Sequence, residues 1–115
     1  MKDISGGIQY KGKIYRLVFN LNVMEAIQEE YGSIDKWAGL TDGSAGEPDA
    51  KAVKFGFREM MNEGIDIDNE ENSTDEKPLS LKQVGRIITE VGLLEATKVL
   101  NTTVINSTES NEKNA

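Results

Sequence analysis

The chain contains no histidine and no cysteine. It therefore lacks the usual general base near neutral pH, the thiolate nucleophile and the nitrogen and sulfur ligands that hold zinc. Without cysteine there is no disulfide framework, and no apolar run reaches the length that spans a bilayer. A catalyst built from this chain would depend on carboxylates, hydroxyls and lysines. We therefore expect a protein that is not an enzyme and that holds neither a cofactor nor a metal ion.

The charge of the chain is strongly negative, because its 115 residues include 20 acidic and 13 basic residues, for a net charge of −7. A chain of this sign gains no counterion release from a phosphate backbone and is repelled by anionic lipid. Nucleic acid and membranes are therefore not expected partners. The first residues, MKDISGGIQYKGK, lack the apolar core of a signal peptide, so we expect a cytoplasmic protein.

The segment GIQYKGKIYRLVF alternates polar and apolar side chains, and Lys11-Gly12 interrupts it where a two-residue turn fits. The pattern predicts a β-hairpin with strands over residues 7–11 and 13–19. An isolated hairpin is marginally stable, so we expect one of its faces to pack on helices. By the period of two, that face carries Tyr15, Leu17 and Phe19.

A helix is predicted to follow the hairpin directly. Asn22 and Glu25 have the spacing of a capping box, and Asn20 is an alternative cap. Gly32 is expected to end this helix, and Ser33 to cap a short second helix.

A third helix is predicted over about residues 48–63, after a loop rich in turn-forming residues. Gly64 is its expected stop, and a polar loop is expected over residues 66–78. Gly56 lies within this helix, where glycine costs about 1 kcal/mol relative to alanine. We expect close packing against another helix to compensate for that cost.

Two further helices complete the predicted domain. Ser80 and Gln83 form a capping box for the fourth helix, which Gly92 ends, and a fifth helix is predicted over residues 93–105. The fold class is therefore α+β and helix-dominant, with an N-terminal β-hairpin followed by four to five helices. We expect one small globular domain over residues 1–105, followed by a disordered, flexible polar tail over residues 106–115.

The stretch KGKIYRLVFNLNVMEAIQEEYGSIDKW combines a short hairpin with a basic turn, an F-N-x-N helix entry and an EE-Y-G-S helix exit. In these features it resembles the tail assembly chaperones of long-tailed, siphovirus-like phages and prophages of Gram-positive bacteria. The resemblance continues through AVKFGFREMMNEG, an acidic loop and LSLKQVGRII, and it covers about residues 8–100.

The resemblance implies a protein that binds the long helical tape-measure protein, keeps it soluble and helps to recruit tail-tube subunits. It also implies action in the cytoplasm of the bacterial host and absence from the mature virion. Members of this family are commonly made in a second, longer form by ribosomal frameshifting near the C-terminus. Formation of a homo-oligomer is left open.

Five side chains are candidates for partner binding. Trp37 is the first, because it lies on a short helix and indole side chains are enriched at interfaces. The other candidates are Tyr31, Phe57, Met60 and Met61. Met60 and Met61 are included because methionine side chains adapt to varied apolar partners. The helical spacing of the last three is also, and more commonly, that of a stripe facing a core.

Two other functions are open on the residues alone. The chain is alternatively a virion structural protein, such as a tail-tube or head–tail joining subunit, whose hairpin adds a strand to a neighbour. The second alternative is a carboxylate-based metal-binding protein that uses Asp66, Asp68 and Glu70. A calcium loop starting at Asp66 fails, because Glu71 stands where that loop needs glycine and Lys77 where it needs glutamate.

Overall fold

The computed structural model describes residues 7–44 and 46–114, with side chains up to residue 107. Within these residues lie two strands, β1 (Gly7–Tyr10) and β2 (Lys13–Arg16), and five helices. The helices are α1 (Leu21–Tyr31), α2 (Ile34–Thr41), α3 (Ala50–Asn72), α4 (Leu81–Val91) and α5 (Leu93–Asn114). The predicted helix-dominant α+β class with an N-terminal hairpin is confirmed.

The two strands form the predicted antiparallel hairpin. Lys11 and Gly12 adopt positive φ angles of 50° and 78°, which a two-residue turn of this kind requires. The second strand ends before the predicted boundary at residue 19. It does so because the Val18 amide donates a hydrogen bond to the Met60 carbonyl of α3, at 3.3 Å, and not to another strand.

The hairpin packs on the helices through the face that the alternation predicts. Leu17 is buried, and Tyr15 and Phe19 are half-buried against the core. Ile14, on the opposite face, is 64% exposed. The predicted orientation of the second strand is therefore confirmed.

The start of α1 differs from the first prediction. Asn20 is the cap, since its side-chain oxygen accepts a hydrogen bond from the Val23 amide at 3.2 Å. Asn22 is not the cap and lies in the first turn of the helix. The amide groups of Asn20 and Asn22 both donate to the Glu63 carboxylate of α3, at 2.8 and 3.0 Å. The alternative cap, Asn20, is therefore correct. Glu63, a carboxylate distant in sequence, holds both asparagines in place.

The contact between α2 and α3 centres on Trp37 and Gly56. The indole is 1% exposed, and a Cβ atom built at Gly56 would lie 2.4 Å from the Trp37 Cζ2 atom. The indole N–H donates to the Ala52 carbonyl at 3.0 Å. The packing role predicted for Gly56 is confirmed. The predicted caps between α1 and α2 are also confirmed, since Gly32 ends α1 and Ser33 accepts from the backbone of α2.

α3 extends beyond its predicted end. It begins after the cap Asp49, continues through Gly64 and reaches Asn72. Gly64 is therefore not a stop. A Cβ atom at this position would lie 2.9 Å from the Arg16 carbonyl oxygen, so glycine here admits the backbone of the hairpin. The predicted polar loop over residues 66–78 is wrong in its first half, which is helical.

Two asparagines of α3 hold the connection that leads to α4. Asn62 donates to the Leu79 carbonyl at 3.1 Å and accepts from the Leu79 amide at 2.7 Å. Asn69 makes the same pair of bonds with Glu76, each at 3.0 Å. The polar connection is therefore bound to α3 by side-chain amides, and the start of α4 is placed by them.

The last two helices follow the predicted signals at the junction between them. Ser80 and Gln83 make both bonds of the capping box, and Gly92 ends α4. The backbone of α5 continues to Asn114, past the predicted helix end at residue 105. Its buried side chains reach Thr103. Ala115 and the side chains beyond residue 107 lie outside the described part, so the flexibility of the tail stays a prediction.

The core lies around α3, which contacts α1, α2, α4, α5 and β2. No described helix is both long and apolar enough to cross a lipid bilayer. The largest fully buried apolar side chains are Trp37, Phe57, Ile27, Met60, Met61, Leu100, Val23, Val53 and Val84.

Replacing Gly56 with alanine should destabilise the protein, even though alanine is the better helix former by about 1 kcal/mol. The added methyl group would overlap the indole of Trp37, and overpacking of this kind costs about 1–3 kcal/mol. We expect the free energy of unfolding, measured by urea denaturation, to fall by at least about 1 kcal/mol.

Gly39→Ala is the matched control for this experiment. Gly39 also lies within a helix, but the nearest atom to a Cβ there is the Ser44 hydroxyl at 4.0 Å. This variant should be neutral or more stable than the wild type. If Gly56→Ala is equally well tolerated, the close contact with Trp37 does not exist.

Deleting residues 106–115 should leave the stability of the domain nearly unchanged. Asn106 is exposed and Ser107 is half-buried, whereas Leu100 and Thr103 anchor α5 in the core. We expect the free energy of unfolding to change by no more than about 0.5 kcal/mol, the range of surface substitutions. A deletion that begins at Leu100 should unfold the protein. A large loss on removing residues 106–115 alone would show that they are part of the folded domain.

Candidate functional site

Four of the five candidate partner-binding residues lie in the core. Trp37 and Met61 are 1% exposed, and Phe57 and Met60 have no exposed surface. Trp37 is therefore not a surface residue in this conformation, and a role for these four side chains in partner binding stays a prediction. An indole on a short helix indicates an anchor only when its helix leaves it exposed, and here α3 covers it.

Tyr31 is the fifth candidate, and it is half-buried at the end of α1. Its ring meets that of Phe55 edge to face, with 5.6 Å between the ring centroids. The hydroxyl is buried and has no hydrogen-bond partner among the described residues. Burial raises the pKa of Tyr31, and the negative charges of Asp49 and Glu30 raise it further. Its role in binding stays a prediction.

The carboxylates of the metal-binding alternative do not form a cluster. Asp66, Asp68 and Glu70 lie on α3, where the first and last share a face and the middle one points elsewhere. Asp68 pairs with the Arg16 guanidinium at 2.9 Å. No group of three acidic side chains able to hold a metal ion occurs in the described part of the chain. The geometry therefore offers that alternative no site.

A groove of about 650 Å³ lies between the first turns of α3 and the outer face of α4. We call it the α3–α4 groove. The apolar surface that a ligand can reach comes from half-buried Tyr10 of the hairpin and Leu93 of α5, and buried Val53 and Ile88 lie beneath it. Its volume falls within the range of ordinary ligand sites, and it is open to solvent.

Three cations stand around this apolar lining. They are Lys54 of α3 and Lys82 and Arg86 of α4, and Glu90 supplies the one acidic side chain among the residues that the structure places in the groove. Lys82 and Arg86 are exposed and four residues apart, so they share one face of α4. The groove is therefore positive, in a chain whose net charge is negative.

Among the residues that the structure describes, the cations of the groove form no ion pair with a carboxylate. The ion pairs of the described residues join Lys13 to Glu76, Arg16 to Asp68 and Arg58 to Glu59. None of these pairs involves a groove cation. The charge of the groove is consequently available to a ligand.

Lys54 owes its position to Gly85 of α4. A Cβ atom at position 85 would lie 3.1 Å from the Lys54 Cδ atom, so the aliphatic part of this lysine lies directly across the glycine. Thr89 donates to the Gly85 carbonyl at 2.8 Å and occupies the next turn of the same face. The small residue thus brings the two helices, and the cations they carry, close together.

The chemistry of the groove suits binding. Half-buried apolar side chains stabilise apolar side chains of a ligand, and cations that form no ion pair among the described residues stabilise acidic ones. The groove is not predicted from the sequence, although the sequence contains a signal for it. In an acidic chain, SLKQVGRIITEV carries two cations and one carboxylate on the polar side of a strongly amphipathic helix. Lys54 could not be joined to them, because that contact depends on how α3 and α4 pack.

Substituting Tyr31 with phenylalanine should stabilise the protein, because it removes a buried hydroxyl without a partner and keeps the ring against Phe55. We expect a gain of up to about 1 kcal/mol in the free energy of unfolding at pH 7. Tyr15→Phe, in the hairpin, is the control and should change little.

The same variant should alter the response to alkali. Because burial raises the pKa of Tyr31 above its ordinary value, the unfolded chain releases this proton at lower pH than the folded protein does. Wild-type stability should therefore be full below about pH 10 and fall as the pH rises further. Tyr31→Phe should lose less over that range. Parallel stability curves for the two proteins would show that the hydroxyl is solvated.

Known proteins do not identify a family for this chain. No protein-family model, curated protein or solved structure matches it. Its function is therefore inferred from the residues of the α3–α4 groove and from the resemblance that residues 8–100 carry.

Proposed function

We propose that this protein is a tail assembly chaperone of a long-tailed phage or prophage. In this role it binds the tape-measure protein, keeps it soluble and helps to recruit tail-tube subunits in the host cytoplasm, without entering the mature virion. The observation that carries the proposal is the α3–α4 groove, which combines half-buried apolar side chains with three cations that form no ion pair among the described residues. The resemblance noted in the sequence supplies the identity of the partner.

The groove supports a chaperone because of how it balances two kinds of contact. A protein that keeps a long helical partner soluble must cover apolar side chains and release them when assembly proceeds. Grooves that take the apolar face of an amphipathic helix are a common means of doing so. Charges at the edge of such a groove speed association and favour the correct partner more than they tighten the complex.

The F-N-x-N entry that contributes to the resemblance acts within the fold. Phe19 packs against the core, and Asn20 and Asn22 both bind Glu63 of α3. These residues therefore belong to the internal packing of the domain and do not form a binding surface.

One observation favours the second candidate, a virion structural protein. The hairpin is a two-stranded sheet, so each strand has one edge that bonds to no other strand among the described residues. Strand addition at such an edge joins the subunits of many assemblies. A structural subunit is retained in the mature virion and a chaperone is not, so the presence or absence of the chain in virions separates the two functions.

Co-expression with the tape-measure protein of the same phage tests the proposal. We expect the fraction of soluble tape-measure protein to rise when this chain is present, and the two to elute together on gel filtration. The tail-tube protein should be retained by this complex more strongly than by either component. The Gly39→Ala variant is a suitable control, because it alters the protein without disturbing the core or the groove.

Mass spectrometry of purified virions completes this test. We expect peptides of the tape-measure and tail-tube proteins and none from this chain above the background of host proteins. Stoichiometric amounts of the chain in virions would favour the structural function. An unchanged insoluble fraction of the tape-measure protein would contradict the chaperone.

A further inference from the structure

The arrangement of charges in the α3–α4 groove points to a particular kind of ligand. We propose that the groove is the docking site for an acidic amphipathic helix of a partner protein. The acidic residues of that helix lie at Lys82 and Arg86. This inference rests on the proposed function when the partner is taken to be the tape-measure protein, but the chemistry of the docking helix follows from the groove itself.

The sign of the ligand follows from the distribution of charge. Acidic residues outnumber basic ones in the chain, yet the charged residues lining the groove are three cations and Glu90. The cations carry no carboxylate partner within the described residues. An acidic ligand is attracted here and repelled by most of the remaining surface, which confines it to this face.

The shape of the ligand follows from the origin of the cations. Lys54 belongs to α3, whereas Lys82 and Arg86 belong to α4, so positive charge comes from both helices that form the groove. The accessible apolar surface between these cations comes from half-buried Tyr10 and Leu93. The complementary ligand is an apolar ridge with acidic residues on both flanks. An amphipathic helix presents this arrangement, with apolar side chains at intervals of three and four.

The direction of the ligand follows from the order of charges along α4. Lys82, Arg86 and Glu90 are each four residues apart, which places them about 6 Å apart along one face. The charge at this wall therefore changes from positive to negative toward the end of α4. Acidic residues of the ligand are therefore favoured beside Lys82 and Arg86 and disfavoured beside Glu90, so a helix whose acidic residues cluster at one end binds favourably in one direction only.

A synthetic peptide provides the probe. It is a fluorescein-labelled amphipathic helix of about 18 residues, long enough to be partly helical alone. Leucines form its apolar stripe, glutamates flank the stripe, and alanines fill the rest. Matched peptides carry lysine in place of glutamate, or serine in place of leucine. Fluorescence anisotropy with the full chain at low salt should show binding of the glutamate peptide at least about tenfold tighter than that of either matched peptide.

Charge-reversal variants assign the binding to the groove. Lys82→Glu/Arg86→Glu should weaken binding of the glutamate peptide at least about tenfold. Lys36→Glu/Lys98→Glu changes the net charge equally at exposed positions outside the groove, and should leave the affinity within about twofold. Glu90→Lys should bind the same peptide more tightly than the wild type, a gain that misfolding cannot produce. Circular dichroism confirms that each variant is folded.

Several results would overturn the inference. Equal affinity for the glutamate and lysine peptides would show that charge does not select the ligand. An equal loss in the two double variants would assign the effect to net charge alone. Two further results point to other occupants if no peptide binds. One is a dimer in sedimentation that Lys82→Glu/Arg86→Glu abolishes, which would make a second copy of this chain the ligand. The other is groove-dependent binding of a single-stranded oligonucleotide, which would make it nucleic acid.

Co-expression separates this inference from the chaperone proposal. If the wild type keeps the tape-measure protein soluble and Lys82→Glu/Arg86→Glu does so less well than Lys36→Glu/Lys98→Glu, both are supported. If the two double variants act equally well, the chaperone function holds and the groove is not its docking site. If the wild type itself has no effect, the chaperone proposal fails, and the peptide measurements still decide what the groove binds.

Discussion

The contact between the Trp37 indole and Gly56, a residue without a side chain, constrains most of this fold. Trp37 fits against α3 only because position 56 is glycine, and the indole N–H adds a hydrogen bond to the Ala52 carbonyl. The remaining N-terminal elements attach to the same helix beyond this point. The hairpin bonds to Met60, and Glu63 holds the start of α1. α3 is therefore the common surface on which α1, α2 and the hairpin are placed.

The sequence predicted elements whose signals are local. The turn of the hairpin, the capping box at Ser80 and the stops at Gly32 and Gly92 each depend on a few adjacent residues, and each is present. Gly64 shows the limit of such signals. Glycine is a common residue at a helix end, but α3 continues through Gly64. This glycine instead makes room for the backbone of Arg16, a residue far away in the sequence. Asn22 is likewise not a cap, and its side chain binds Glu63, which is also distant in sequence.

The candidate site was harder to predict than the fold. Aromatic and methionine side chains do not distinguish an interface from a core, because both use the same residue types. For Trp37 and Phe57 the packing of α3 decides in favour of the core. The α3–α4 groove is formed by charged residues that look like an ordinary solvated surface on each helix separately. They become a site when Gly85 lets Lys54 of α3 lie across α4.

The central position of α3 also affects how the chain is made. Ribosomes synthesise the hairpin, α1 and α2 before α3, yet these elements bury Trp37, Ile27 and Leu17 largely against residues of α3. An isolated two-stranded hairpin is marginally stable, and short helices gain most of their stability from packing. The nascent N-terminal half therefore exposes its apolar residues until α3 has left the exit tunnel. During that interval the growing chain exposes apolar surface that the finished domain covers.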